Sequence, residues 1–201
     1  MAHAAAMSHP QEAYENPLTP GWGKLMMWIF LCSDAMSFVG LLAAYGAVRL
    51  GSSDWPIPST RLDVPLTALN TFILICSSVT MVKALSAIRR GDRKGLVLWL
   101  LGTIAGGSAF LGIQAFEWTH QIVVEGLSIK TSLFGATFFI LTGFHGCHVL
   151  SGVIYLSCIA IRGARGGYTA EQNSPVEIAG LYWHFVDLIW ILVFTFVYLI
   201  S

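Results

Sequence analysis

Five long apolar runs constrain the fold of this 201-residue chain more than any other feature. Each run has at least the roughly 20 residues that an α-helix needs to cross about 30 Å of hydrocarbon. Hydrocarbon offers no partners to the backbone, so a segment that crosses it must satisfy its own hydrogen bonds as a helix. The runs cover residues 25–48, 66–88, 96–118, 133–161 and 179–200. We therefore expect an all-α, polytopic membrane protein with a bundle of five transmembrane helices.

The composition supports a membrane domain and excludes an extramembrane one. Hydrophobic residues make up 55% of the chain, charged residues only 11%, and the mean hydropathy is +0.68. Such values lie outside the range of ordinary soluble domains. The short links leave no room for a nucleotide-binding fold, and we expect no nucleic-acid partner. We expect residues 1–21 to form a short N-terminal tail, not a processed leader, and residues 22–201 to form the membrane domain.

Lysine and arginine are distributed unevenly between the two ends of the predicted helices. Basic residues in short loops favour the cytoplasmic side of a membrane. Eight of the 11 basic residues fall on one side, which places the N-terminus in the cytoplasm and the C-terminus outside. The cytoplasmic group is Lys24, Lys83, Arg89, Arg90, Arg93, Lys94, Arg162 and Arg165, and the outer group is Arg49, Arg61 and Lys130.

A few ionisable residues interrupt the apolar runs. Each costs roughly 2.5–3.5 kcal/mol at a helix centre on insertion scales, so each requires a partner or a role. Asp34 has two open interpretations: a protonated carboxyl that hydrogen-bonds to a neighbouring helix and fixes the packing, or a proton-linked or lipid-contacting group. The complete set is Asp34, His145, His148, His184 and Asp187, with Glu117 and His120 near the outer end of the third run.

Two pairs of these residues are spaced three apart, which places each pair on one helix face. The pairs are His145 with His148 in the fourth run and His184 with Asp187 in the fifth. Small residues beside the first pair leave space for a partner helix, for which the fifth run is the candidate. These small residues are Gly143, Gly146 and Gly152, and the third run carries a similar Gly102/Gly106 motif that predicts close helix packing.

Imidazole and carboxylate groups can bind iron, copper or zinc, but the predicted depths oppose a shared site. At 1.5 Å per residue, His148 lies about 20 Å and His184 about 7 Å from the inner ends of their helices. One ion would not bridge that gap, so we expect no metal site. Asp187, at about 12 Å, matches Asp34 at about 14 Å, which favours a common polar layer.

Two segments resemble the last two helices of subunit III of the haem-copper terminal oxidases. They are TSLFGATFFILTGFHGCHVLSG and YWHFVDLIWILVF. GIQAFEWTH resembles the helix that precedes these two in the family, and LCSDAMSF resembles a segment normally written with Ser-Glu-Val. The resemblance covers essentially the whole chain beyond the tail, and the combination of TGFHGxHV with WHFVD is specific to this family.

The resemblance implies a subunit without a redox centre of its own, in a multi-pass protein of the bacterial inner membrane. Oxygen would be reduced at the haem and copper of subunit I, against which subunit III packs. The family roles are to bind phospholipid, to stabilise subunit I during turnover, and to support proton uptake and assembly. The histidines would then form hydrogen bonds between helices and bind no metal.

The resemblance also assigns roles by position. Asp34 takes the place of an intramembrane glutamate, and Glu117 takes the acid of the helix before the last two. His145, His148, His184 and Asp187 take their counterparts in the two motifs. Arg162 matches an arginine that contacts lipid phosphate, although it is also an ordinary cytoplasmic anchor; a guanidinium can make bidentate bonds to a phosphodiester.

Two departures from the family pattern affect these expectations. Aspartate at position 34 is one methylene shorter than glutamate, which changes the reach of the carboxyl. The mitochondrial form has seven helices, and its lipid cleft lies between the first two and the other five, whereas this chain has only five.

Several alternatives remain open from the sequence. The parent complex could take electrons from cytochrome c or from quinol, or belong to a branch associated with nitric oxide reductase. Outside the family, the chain could be a b-type cytochrome anchor with His148 and His184 as axial ligands. It could also be a small proton-coupled transporter that uses Asp34 and Asp187.

Overall fold

The computed structural model describes residues 22–53, 55–56, 62–130 and 132–200. Within these ranges the chain is helical, with no strand, and five helices are long and apolar enough to span a membrane. The all-α prediction is confirmed. The tail 1–21 and Arg61 lie outside the described residues. The helices are α1 (Trp22–Gly51), α2 (Val64–Arg89), α3 (Arg93–Val123), α4 (Leu133–Ala164) and α5 (Ser174–Phe194), and a wider helical turn, Thr195–Leu199, continues α5.

Side-chain caps set the starts of three helices. Asp63, Asp92 and Ser132 each accept a hydrogen bond from the backbone N–H three residues further on, at 3.1, 2.9 and 2.9 Å. Such bonds satisfy N–H groups that the first helical turn leaves unpaired. Two of these helices, α2 and α3, therefore begin before their apolar runs, at the residue that follows the cap.

The fifth helix begins at Ser174, not at residue 179, and Pro175 fits its first turn, where the missing N–H of proline costs nothing. The predicted distance of His184 from the start of its helix was therefore too short. Counted from Ser174, His184 lies about 15 Å and Asp187 about 20 Å along the helix. The depth difference from His148 shrinks accordingly.

Each of the five helices packs against at least two others, and α1 has the least covered surface. The extensive contacts are α2 with α3, α3 with α4, and α5 with α1, α2 and α4, while α1 contacts only α4 and α5 extensively. Along α1 large apolar side chains face outwards; Met36 is 74% exposed and Val39 59% exposed. This helix presents a lipid-facing or partner-facing surface.

The Gly102/Gly106 motif of α3 packs closely against another helix, as predicted, and that helix is α2. A Cβ atom added at Gly106 would lie 2.7 Å from the Cβ of Ser77, and one added at Gly102 would lie 3.6 Å from Thr80. The small residues thus bring the two backbones close together.

Trp183 of α5 connects three other helices. Its indole ring packs against Gly107 of α3 and Gly152 of α4, and its Nε1–H donates to the hydroxyl of Ser77 in α2 at 3.0 Å. The ring is almost fully buried. These contacts fix the position of α5 against α2, α3 and α4.

Candidate functional site

Asp34 of α1 and His148 of α4 form a largely buried pair. The Nε2 atom of His148 lies 3.1 Å from Oδ1 of Asp34, and its Nδ1 lies 2.7 Å from the backbone carbonyl of Phe144. A carbonyl can only accept, so Nδ1 carries a hydrogen. The second contact must then share another proton, either between imidazolium and carboxylate or between neutral imidazole and a protonated carboxyl. In both forms the pair has no net charge.

The partner of His148 differs from the predicted one. The sequence suggested α5, but the carboxyl that His148 contacts belongs to α1. Helix α5 approaches the backbone instead, where Tyr182 donates its hydroxyl to the His148 carbonyl at 3.1 Å. Gly143 and Gly146 face Trp118 and Gln114 of α3. Helical periodicity therefore identified the face and one of its neighbours, α5, but not the helix that supplies the carboxyl.

A second polar cluster joins α2 to α5. The hydroxyl of Ser78 donates to Oδ2 of Asp187 at 2.7 Å and accepts from Nδ1 of His184 at 3.3 Å. The hydroxyl therefore links the imidazole and the carboxyl, which the sequence had placed on one face. Ser78 was missed because a serine inside an apolar run carries no charge penalty. The many polar residues of the second run could have indicated a polar contact to another helix. Those that α2 buries are Thr67, Asn70, Thr71, Ser77 and Ser78.

His145 does not join either cluster. Its side chain is fully buried and stacks on the Trp190 indole, with ring centroids 4.7 Å apart, while the Phe110 ring meets it edge-on at 5.6 Å. Among the described residues, neither ring nitrogen has a hydrogen-bond partner. His145 therefore packs as an aromatic residue.

Glu117 lies apart from these groups, towards the end of α3. Its Oε1 atom is 3.2 Å from the hydroxyl of Thr67 in α2, and the side chain is 4% exposed. A cavity of about 270 Å³ opens beside it, with Asp63 and His120 among its lining residues. The carboxyl thus contributes to the packing of α2 against α3 near one end of the bundle.

Arg162 is in the last turn of α4 and contacts the segment that follows it. Its guanidinium lies 5.5 Å from the centre of the Tyr168 ring, a cation–π geometry, and its stem packs on Gly167. Burial raises the pKa of the Tyr168 hydroxyl, and the positive charge of Arg162 opposes that rise. The arginine is therefore held at the end of α4.

The geometry does not favour a shared haem or metal. Within the described ranges, no three His, Cys, Asp or Glu side chains are close enough to hold an ion. His148 uses both ring nitrogens in hydrogen bonds, whereas an axial ligand needs one nitrogen for iron. His148 and His184 also belong to different clusters.

Known proteins resemble this chain over nearly its full length. The family model described as cytochrome c oxidase subunit III matches residues 11–201. Cytochrome c oxidase subunit 3 of Thermostichus vulcanus is 36% identical over 199 residues, which cover 98% of this chain and 94% of the relative. Quinol oxidase subunit 3 of Bacillus subtilis strain 168 is 37% identical over 177 residues, 88% of this chain and 86% of the relative.

A third relative, cytochrome c oxidase subunit 3 of Corynebacterium diphtheriae, is 38% identical over 176 residues, 86% of this chain and 85% of the relative. The resemblance drawn from the motifs in α4 and α5 is thus confirmed over the whole membrane domain. The chain belongs to the cytochrome c oxidase subunit III family of the haem-copper oxidases.

Proposed function

We propose that this chain is a non-catalytic subunit of an aerobic haem-copper oxidase in the bacterial inner membrane. It packs against subunit I, where haem and copper reduce oxygen to water, and stabilises that subunit during turnover. It also binds phospholipid at Arg162 and supports proton uptake. The observation that carries the proposal is the pairing of its intramembrane ionisable groups with one another and with α2 hydroxyls.

The stabilising role is supported by the way in which the polar clusters join helices. The Asp34–His148 pair fastens α1 to α4, and Ser78 with Asp187 fastens α2 to α5. Interhelical hydrogen bonds in membranes contribute on average about 0.6 kcal/mol and at most about 1.7 kcal/mol each. Several together make a rigid support for a neighbouring subunit, with the exposed apolar side of α1 available for contact.

Support for proton uptake comes from the shared proton of Asp34 and His148. Removing that proton would leave one negative charge inside the bundle, which is costly in hydrocarbon. The proton that the pair shares is therefore part of the contact between α1 and α4. The Asp34–His148 pair can hold a proton near the proposed contact with subunit I. The pair does not by itself move a charge across the membrane.

The proposed orientation places the N-terminus in the cytoplasm. Glu177 at the start of α5 contacts Lys24 at 2.8 Å and Arg89 at 3.5 Å, so the start of α1, the end of α2 and the start of α5 meet at one end of the bundle. Arg49 donates to the Ile200 carbonyl at the opposite end. The first end carries most of the basic residues, which supports its assignment to the cytoplasmic side.

The electron donor has two candidates. Relatives of similar identity are a cytochrome c oxidase subunit 3 and a quinol oxidase subunit 3. A quinol oxidase is therefore the second candidate for the parent complex. Identification of a copper-binding subunit II in the purified complex would point to cytochrome c.

Removal of the chain from its complex tests the proposal. We expect the oxidase without it to keep its haem spectrum and its initial rate, and to lose activity sooner during continuous turnover. Adding back the wild-type chain should restore the lifetime, and adding the Asp34→Asn variant should restore it incompletely. An unchanged lifetime without the chain, or an immediate loss of haem, would contradict the proposal.

A further inference from the structure

A groove between α3 and α4 lies where α3 begins and α4 ends. Its volume is about 510 Å³. Arg93 and Lys94 stand at its charged end, and an apolar wall extends from them along α3. The lining residues include Arg93, Lys94, Val97, Leu98, Leu101 and Ala164.

The apolar wall can contact part of a bound acyl chain. Leu98 is 66% exposed and Leu101 is 53% exposed, so the described part of the chain leaves both largely uncovered. At 1.5 Å per residue, the wall extends about 12 Å from Arg93 to Leu101 along the helix. Ala164 lines the groove on the α4 side and leaves it open because its side chain is small.

The charged end of the groove is positioned by the fold. The guanidinium of Arg93 packs against Gly166, which has a φ of +81° and no Cβ atom to displace the arginine. No carboxylate among the described residues forms an ion pair with Arg93 or Lys94. The adjacent Asp92 accepts from the N–H of Gly95 and serves as the helix cap. Two positive charges therefore face the groove without a negative partner.

We propose that this groove binds an anionic phospholipid. Its phosphate contacts Arg93 and Lys94, and one acyl chain lies along Val97, Leu98 and Leu101. A guanidinium offers bidentate hydrogen bonds to phosphate, and the ammonium adds a second charge. Free phosphate would leave the apolar wall uncovered, and an apolar partner helix would leave both charges unpaired. The site is separate from the proposed lipid contact of Arg162, whose guanidinium lies over Tyr168.

Photo-cross-linking in the intact complex tests the site. The complex is placed in phosphatidylcholine nanodiscs that contain a small share of phosphatidylglycerol with a photoreactive acyl chain, and labelled peptides are mapped. We expect labelling within residues 97–101. The double variant Arg93→Gln/Lys94→Gln should lower it about tenfold, because each basic residue near an anionic lipid strengthens binding severalfold.

Two further variants distinguish lipid binding in the groove from general attraction of the lipid by positive charge. Arg90→Gln removes one charge from the loop directly before α3. Arg90 donates to the hydroxyl of Ser86 in α2 and does not line the groove. Labelling of this variant should therefore equal that of the wild type. Ala164→Trp keeps every charge and fills the groove, so its labelling should fall as in the double variant. Retention of each variant in the complex shows that it is folded.

Four outcomes would overturn the inference. Three are equal labelling by a photoreactive phosphatidylcholine, equal losses in the Arg90 variant and the double variant, and full labelling in Ala164→Trp. The fourth involves Arg162. If Arg162→Gln abolished the labelling and the double variant did not, the lipid would sit at Arg162. That result would overturn this site and leave the proposed phospholipid function standing.

Discussion

The carbonyl of Phe144 determines how His148 can interact with Asp34. Because it receives the Nδ1 hydrogen at 2.7 Å, the contact between Nε2 and Asp34 must contain a proton of its own. Aspartate at this position reaches the imidazole despite having one methylene less than the glutamate of the family pattern. The contact supplies the interhelical hydrogen bond of the first interpretation of Asp34, and the proton-linked role of the second stays a proposal.

A double-mutant cycle measures this contact. Asp34→Ala and His148→Ala should each destabilise the solubilised chain. Their combined effect should be smaller than the sum, with a coupling of roughly 0.6–1.7 kcal/mol in the free energy of unfolding. Asp34→Ala combined with His184→Ala is the control, because His184 contacts Ser78 instead. That pair should be additive within about 0.5 kcal/mol. Zero coupling between positions 34 and 148 would show that the contact is absent.

At the same scale, the sequence revealed the ionisable residues but not all of their partners. A carboxyl or imidazole in a 20-residue apolar run stands out because its burial is costly. Ser78 has no such cost, yet it is the group that holds Asp187 and His184 together. His145 shows the converse, since an ionisable residue that the sequence marked as a hydrogen-bonding group packs within a set of aromatic rings.

At the scale of the helices, hydropathy located every span but not every end. The start of α4 was predicted at Leu133 and observed there, directly after the Ser132 cap. The start of α5 was displaced because its first turn contains the polar Glu177, which falls outside an apolar run yet is helical. An apolar run reports what lies in hydrocarbon, whereas a helix continues until its backbone hydrogen bonds end.

Helix packing depends on particular glycines, which a pair of substitutions can show. Gly107→Ala would bring a methyl group into the Trp183 ring and should destabilise the chain by about 1–3 kcal/mol, the usual cost of overpacking. Gly112→Ala lies in the same helix with no atom within 4 Å of the added methyl. It should be neutral or stabilising by up to about 1 kcal/mol, because alanine favours helix. Thermal unfolding of the two variants in detergent gives the comparison, and equal midpoints would contradict it.

At the scale of the whole molecule, periodicity predicted one neighbour of α4 and missed another. Helix α5 does contact the face that contains His145 and His148, through Trp190, but the carboxyl that His148 contacts comes from α1. A face can be read from residue spacing within one helix, whereas neighbour identity depends on how all five helices pack together. The family resemblance was confirmed because it rests on sequence motifs. Recognition of a motif does not depend on predicting which helices are neighbours.

Membrane orientation is a property of the whole chain that labelling can test. In a cysteine-free background, Arg90→Cys should react with a membrane-impermeant maleimide in inside-out vesicles, and Lys130→Cys should react in right-side-out vesicles. Both residues are exposed in loops at opposite ends of α3. The reverse pattern would contradict the cytoplasmic assignment of the N-terminus.

We propose that these buried polar groups join helices in a supporting subunit and do not hold a cofactor. Purification of the tagged chain in mild detergent, followed by visible spectroscopy before and after its separation from the complex, tests this most directly. We predict that a haem-containing subunit co-purifies, and that the separated chain is colourless. Haem bands that remain with the separated chain, or a chain that purifies without any haem-containing partner, would contradict the account.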